Sequence, residues 1–387
     1  MTQFNNVTDL PKPDADSIAH SQLLVQRIQT EINRQSGIIG FDEFMRMALY
    51  EPGLGYYSAG LRKFGEDGDF VTAPEISSVF SQCLARQCEE VIRNIDNSIV
   101  LELGAGTGIM AADILLELQR RDALPAQYWI LEVSADLKQR QQERLKSCVP
   151  FFYEKIHWLD QLPEEKFSGI VIGNEVIDAL PVKRFIKKDD KLFELGITAI
   201  DDNLNWQVTE KTLSGIDLVD TLSDEYTSEF NSGLSDWLSS IADTLEQGIL
   251  LFLDYGYPAK EYYHPERTAG TLLCHYRHRV HDDPFYYPGL QDITSSVNFT
   301  YLAECAHESG LQVAGYTSQS AFLIATGLEE FVDINDSDNQ QRAATSQAIR
   351  TLTLPSEMGE RVKVMALTKA YDQPLLGFSF MDQRFRL

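Results

Sequence analysis

Ile99-Val-Leu-Glu102-Leu-Gly104-Ala105-Gly106-Thr-Gly108 is the stretch that decides how this chain folds. An apolar run of strand length ends in three closely spaced glycines, and an apolar pattern with helical period follows over 110–121. This is a strand-to-helix turn. Glycine lets the backbone turn sharply and approach a ligand where any Cβ would clash. The helix that follows presents unbonded backbone N–H groups toward the same place.

A glycine-rich loop alone fits several ligands, and a dinucleotide is the first to weigh. Its fingerprint is G-x-G-x-x-G/A, but Ile109 stands at the third position here and the last glycine comes one residue early. Glu102 precedes the first glycine by two residues. A carboxylate there opposes a pyrophosphate and suits a ligand carrying an ammonium and a sulfonium charge. The ligand implied is S-adenosyl-L-methionine, with Glu102, Gly104, Ala105, Gly106 and Gly108 around it.

Downstream residues extend the site in the order a nucleoside would need. A second strand over 128–133 carries Glu132, 30 residues after Glu102, placed to accept from both ribose hydroxyls. The alternative for Glu132 is a surface acid capping the helix that starts at Ser134. After a short strand over 155–158, Asp160 and Leu162 fall where adenine is held by apolar faces and one polar contact. A fourth strand over 169–172 runs into Gly173-Asn174-Glu175-Val-Ile-Asp178. Asn174 is expected beside the cofactor, with Glu175 and Asp178 beside the acceptor. Methyl transfer is an in-line displacement at carbon, so positioning and charge carry it. Acids there suit a nitrogen nucleophile, above all an arginine guanidinium that a carboxylate orients. The competing assignment has Glu175 capping a helix and Asp178 pairing with Lys183 or Arg184.

Further strands at 248–254, 311–317 and 361–367, with helices over 135–146 and 299–309, continue the alternation of a parallel α/β sheet. A Rossmann-like core over 76–387 is expected, interrupted by insertions at about 183–235 and 256–298. The first insertion alternates apolar and polar residues around an Asp-Asp-Asn turn and predicts a small hairpin layer. The second is rich in Tyr, His, Pro and Gly and follows a strand's C-terminal end, where open α/β sheets carry their ligand crevice. Upstream, 1–15 reads as a disordered tail. Residues 16–75 form N-terminal helices, at 16–35 and 41–49, and a Gly/Pro/aromatic loop, with a further helix over 76–95.

Composition narrows the partners. A chain of 387 residues with net charge −25 repels nucleic acid and anionic surfaces and attracts basic proteins, although acidity also serves plain solubility. No apolar run approaches the ~20 residues that cross a bilayer, so membrane insertion is not expected. The first residues show neither a secretory nor a mitochondrial targeting pattern, which points to a bacterial cytoplasm. Five cysteines without a C-x-x-C pair argue against disulfides and zinc. His275, His278 and His281 share a spacing of three but lack a completing Cys or acid, and no metal is expected.

Seven stretches together are more specific than any of these signals. They are GYYS (55–58), FGEDGDFVTAPEISSVF (64–80), LELGAGTG (101–108), NEVIDALPV (174–182), LDYGY (253–257), PGLQDITSSVNF (288–299) and MGERVKVMAL (358–367). By these the chain resembles the MidA family, which includes an arginine-methylating mitochondrial complex I assembly factor. The resemblance runs from about residue 40 to 367. It implies a seven-stranded methyltransferase sheet with an antiparallel last strand. It also implies an active-site wall from Tyr56, Phe64, Gly65, Asp69, Thr72, Pro74 and Glu75. Glu75 would be a third acid at the site, unless it caps the helix starting near Ile76. Tyr255 and Asp292 would line a substrate channel. The substrate implied is an arginine on a partner protein, a respiratory-complex subunit or another basic protein. The alternatives are a small-molecule N- or O-methyltransferase and an assembly factor that binds the cofactor without catalysis. One departure stands out. The family pattern reads Asp-Ile-Thr-Ala-His-Val-Asp-Phe, whereas this chain has Asp292-Ile-Thr-Ser295-Ser296-Val-Asn298-Phe. The replaced charges put substrate specificity in question.

Overall fold

The computed structural model describes residues 10–59, 72–214, 216, 222–331 and 339–387, with the side chains of 339–342 outside the description. The chain divides into two compact units. One comprises Val71–Ile177, Ser235–Gly256 and Val297–Leu387, and the other Met1–Phe70, Asp178–Leu234 and Tyr257–Ser296.

The first unit holds the large sheet. The strands of its main path, in chain order, are β1 (Ile99–Leu103), β2 (Gln127–Leu131), β3 (Ile156–Leu159), β4 (Phe167–Asn174), β5 (Leu245–Tyr257), β6 (Gln312–Ser318) and β7 (Val362–Lys369), and an eighth short strand, Val297–Asn298, pairs with β5 off this path. Those of the path lie side by side as β6-β7-β5-β4-β1-β2-β3. Neighbours from β5 to β3 pair parallel. Only β7 runs against both its neighbours, β5 and β6. The sheet is Rossmann-like, with the antiparallel last strand the resemblance implies. Its central strands are apolar on both faces, as a sheet covered on both sides requires. Val100, Ile170, Ile172, Ile249, Leu251 and Val364 pack in one core with Phe80, Leu84 and Val91 of helix Ser78–Asn94 and Ile114 and Leu118 of helix Ile109–Arg120.

The helix expected over 76–95 is two helices, Ala73–Ile76 and Ser78–Asn94. Ser77 between them is extended, and its hydroxyl accepts the Val79 N–H at 3.3 Å, starting the second helix afresh.

The second unit is built from three separated segments. Its main sheet runs Ile39–Gly40, Lys191–Ile200, Lys183–Lys188, Thr227–Phe230, with Asn203–Leu213 also paired to Lys191–Ile200. Both hairpin turns place two aspartates in the left-handed region: Asp189 and Asp190 at φ 48° and 60°, Asp201 and Asp202 at 48° and 62°. That geometry matches the twist of the flanking strands. Helices Ala15–Arg34 and Phe41–Tyr50 bury Leu24, Ile28, Phe41 and Phe44 in a core shared with Ile197. A three-stranded sheet orders Arg279–His281, Leu273–Tyr276 and Asp292–Thr294. The N-terminal segment and the two insertions, read separately from the sequence, therefore join in one unit. The joins are strand pairing at Ile39↔Ile197 and a hydrogen bond from the Ser21 hydroxyl to the Pro288 carbonyl at 2.9 Å.

The expected tail over 1–15 needs correction at its described end. Leu10 is buried, and Pro11 O accepts from the Tyr286 hydroxyl at 3.4 Å, so side-chain contacts hold this end to the unit. Residues 1–9 lie outside the described residues. The histidine spacing is a hairpin pattern. His278 sits exposed at the turn with φ 60°, while His275 and His281 lie on facing strands. Among the described residues no helix is long and apolar enough to cross a membrane.

Candidate functional site

Register sets the site. Leu103 is level with Leu131 on β2 and with Gly173 on β4. Gly104, Glu132 and Asn174 therefore stand side by side at the C-terminal edge of three adjacent strands. This is the position at which open α/β sheets bind ligands.

Gly104, Gly106 and Gly108 all adopt left-handed backbone, with φ 64°, 51° and 78°. Gly104 donates its N–H to Leu131 O at 3.0 Å, and Gly108 starts helix Ile109–Arg120. The early last glycine has a packing reason as well. A Cβ at Gly108 would lie 3.3 Å from Gln141 Cα. Ala105 is buried beside the loop.

Two acids bracket this edge, linked by helix Ala73–Ile76. Glu75 accepts a hydrogen bond from the Thr107 hydroxyl within the glycine loop. It does not cap the following helix, a task that falls to Ser77. Glu175 follows β4 in left-handed backbone, φ 52°, and its N–H donates to Leu253 O at 2.8 Å. Its carboxylate accepts from Asn174 Nδ2 at 3.3 Å and, at the limit of 3.5 Å, from Ala73 N. A non-glycine residue in that region is a strained element held by its surroundings, a feature that concentrates at functional sites. The hold here comes from Asp254, 1% exposed, whose Oδ2 accepts Val176 N at 3.1 Å and Ile177 N at 2.8 Å. Asp254 is thus a buried clamp on the turn after β4. Tyr255 is half-buried and packs on the core, Pro74 is buried in the linking helix, and Thr72 precedes that helix without a side-chain cap.

Glu132 is buried and makes the helix-start contact weighed for it. Its Oε1 accepts Ser134 N at 2.8 Å at the start of helix Ala135–Cys148, and its Oε2 accepts Gln141 Nε2 at 2.9 Å. Glu102 is wholly buried. It accepts from the Tyr128 hydroxyl at 2.7 Å, and burial pushes its carboxyl up to about 7, with Glu132 adding to the rise. Asp160 is exposed and pairs with Lys138 at 2.9 Å, and Leu162 is half-buried. Asp113 of helix Ile109–Arg120 is raised to about 6 by burial, against Arg144, with Glu75 adding to the rise.

The residue most clearly missed from the sequence is Gln141, fully buried and bonded to Gly106 O at 2.9 Å and to the Trp158 indole at 3.0 Å as well as to Glu132. Its signal was an amide between Leu137 and Leu145 on an otherwise apolar helix stripe.

The remaining expected residues belong to the other unit. Tyr56 is 1% exposed and part of its core. Its neighbour Tyr57 donates to Asp292 Oδ1 at 3.0 Å. Asp292 is buried in the small sheet. Burial first, then Asp292, push the Tyr57 hydroxyl well above its usual range. Asp178 is buried and its carbonyl accepts from Ser295 N at 2.9 Å. Lys183 pairs with Glu194 and, more distantly, Asp42, and Arg184 with Glu229. Ser295 lies within reach of Thr271 Oγ1, at 3.3 Å, and Tyr262 Oη, at 3.4 Å, and Ser296 N donates to Thr271 Oγ1 at 3.1 Å. In the sheet unit, Asn298 caps helix Phe299–Glu308, its side chain accepting from Tyr301 N. Asp69, Phe64 and Gly65 lie outside the described residues.

Residues of the sheet edge fit S-adenosyl-L-methionine. Buried Glu102 Oε1 and Asn174 Oδ1 have no hydrogen-bond partner among the described residues, and unsatisfied buried acceptors suit a ligand rich in donors. Left-handed glycines leave the loop without side chains on its ligand face, and acids rather than bases surround it.

Comparison with known proteins agrees. Residues 83–317 match the model of a family of S-adenosyl-L-methionine-dependent methyltransferases. The protein arginine methyltransferase NDUFAF7 of Danio rerio mitochondria is 26% identical over 90% of each chain. Its Drosophila melanogaster homologue is 29% identical over 95% of this chain and 92% of its own. A Burkholderia thailandensis protein solved bound to S-adenosyl-homocysteine superposes with a TM-score of 0.93 at 38% identity, covering 98% of this chain and all of its own. The chain belongs to this methyltransferase family, and its cofactor is S-adenosyl-L-methionine.

Proposed function

We propose that this methyltransferase modifies an arginine side chain of a partner protein. The observation that carries the proposal is the pair of acids, Glu75 and Glu175, brought to one edge by helix Ala73–Ile76. The names of the relatives, which match nearly the whole chain, support the same acceptor. The net charge of −25 favours a basic partner, of which a respiratory-complex subunit is one kind. Free cysteines throughout support a reducing compartment, and we place the protein in a bacterial cytoplasm.

When bound, S-adenosyl-L-methionine supplies an electrophilic methyl group on a sulfonium. The chain's own residues do the rest. Glu132 accepts from the ribose, Asp160 and Leu162 flank the adenine, and Asn174 and Glu102 accept from the amino-acid end. Glu175 accepts N–H bonds from the substrate guanidinium and localises its charge, leaving one nitrogen aimed for in-line attack. Glu75 or Glu175 then takes the proton that nitrogen sheds. Tyr255 contributes to the substrate's path, with Thr72 and Pro74 shaping the wall.

The test is transfer of label from methyl-labelled S-adenosyl-L-methionine into a whole-cell protein extract, read by mass spectrometry. Methylated arginine is expected, absent with Glu175→Gln even though that variant still binds S-adenosylhomocysteine. Label appearing only in small molecules, or in no molecule, would sink the proposal.

A further inference from the structure

Gln141 is the polar member of a buried helix stripe whose other members are leucines. Helix Ala135–Cys148 turns Leu137, Gln141 and Leu145 inward at a spacing of four. A buried amide costs desolvation unless its hydrogen bonds are made, and here they are. Nε2 donates to Gly106 O and to Glu132 Oε2, both at 2.9 Å, and Oε1 accepts from Trp158 Nε1 at 3.0 Å. Those partners lie on three elements: the glycine loop after β1, the residue after β2, and β3. Ser134 N fixes the other oxygen of Glu132 at 2.8 Å. With both of its oxygens engaged, one by each bond, the plane of the Glu132 carboxylate is set.

We infer that Gln141 is a positioning residue for the cofactor's ribose: it fixes the plane of Glu132 and its distance from the glycine loop, and it couples ribose occupancy to the Trp158 indole. This rests on the reading of Glu132 as the ribose acceptor. Gln141 itself touches the protein groups that do the holding. Its removal therefore acts on ribose recognition and spares the methyl-transfer step.

The measurement is calorimetric titration of the full chain with S-adenosylhomocysteine and with its 2′,3′-dideoxy counterpart. Gln141→Leu is expected to weaken the parent compound roughly 10- to 100-fold, the effect of one charge-assisted hydrogen bond. The dideoxy compound should bind the variant and the unmutated protein alike, because the hydroxyls through which Gln141 acts are gone. The ligand-free melting temperature should fall, since leucine leaves Gly106 O, Glu132 Oε2 and the Trp158 indole without this partner, and it is the parent-versus-dideoxy comparison that separates this loss from the ribose effect. In turnover, KM for S-adenosyl-L-methionine should rise while kcat holds. Parent-compound titration should shift tryptophan emission in the unmutated protein and fail to do so in Trp158→Phe. Gln141→Met, unbranched and without donors, repeats the test if leucine disturbs folding. The inference is overturned if the variant binds the parent compound normally, or loses the same factor for both compounds. Equal binding of the two compounds by the unmutated protein would instead remove the ribose role of Glu132, and the inference with it.

Discussion

Each unit of this protein buries a carboxylate that accepts a hydrogen bond from a tyrosine hydroxyl. In the sheet unit Tyr128 serves Glu102 at 2.7 Å, and in the hairpin unit Tyr57 serves Asp292 at 3.0 Å. The chemistry is the same, but the construction differs. Tyr128 and Glu102 sit on adjacent parallel strands, 26 residues apart in the chain. Tyr57 and Asp292 are separated by 235 residues and meet only because three segments assemble into one unit. The first couple belongs to a cofactor edge shaped by local pattern. The second belongs to a region whose form depends on distant pairing. Conservative substitutions should therefore have effects of different kind in the two units.

The largest effect is expected at the glycine loop. Gly104→Val places a β-branched residue at φ 64°, and calorimetry should show S-adenosyl-L-methionine binding weakened by more than roughly 100-fold, with circular dichroism near that of the unmutated protein. Unchanged affinity would break the assignment of the loop.

Glu102→Gln comes next and acts through pH. Burial raises this carboxyl from 4.5 to about 7, so the folded state favours the neutral acid. The stability it contributes is complete below pH 4.5 and is lost as pH rises through about 7. Glutamine removes that titration while keeping an acceptor for Tyr128. Denaturant titrations should find the variant more stable by roughly 3 kcal/mol above pH 7, with little difference at pH 4. A variant equally affected at all pH values would show that Glu102 is ionised throughout.

Tyr57→Phe sharpens the contrast. It removes the donor to buried Asp292, and should cost roughly 1–2 kcal/mol in chemical denaturation while leaving S-adenosylhomocysteine affinity unchanged. Altered affinity would tie this couple to the cofactor. Asn298→Asp, which restores the family's residue at a helix cap, should change stability by less than about 0.5 kcal/mol because either side chain caps. A larger change in transfer rate would give that position a role in specificity.

How far the sequence could be read follows the same division. The strands of the large sheet were legible because each is a continuous apolar run between helices, and the glycine loop because its conformation admits few other residues. Glu132 was visible by spacing. Gln141 was not, since its significance lies in touching Gly106 and Trp158, and no periodicity reports that. The clamp role of Asp254 was hidden for the same reason, as it is exercised on Val176 and Ile177, almost 80 residues away. In the hairpin unit the turn at Asp201-Asp202-Asn203 announced itself, yet the turn at Asp189-Asp190 and the union of the N-terminal helices with both insertions did not. The Gly/aromatic loop did not single out Tyr57, whose bond to Asp292 spans 235 residues that no local pattern connects.

Strand β7 has a consequence for the making of this protein. It is hydrogen-bonded on both sides, to β5 through Gly248↔Lys369 to Tyr255↔Val362 and to β6 along Gln312–Ser318. On the ribosome it emerges after both neighbours. Until it does, β5 and β6 are finished but cannot pair with each other through it, and each shows an unpaired strand edge to solvent. The nascent chain thus passes through a stage at which its ligand-binding strands are complete and its sheet is open, the stage at which a chaperone would matter most.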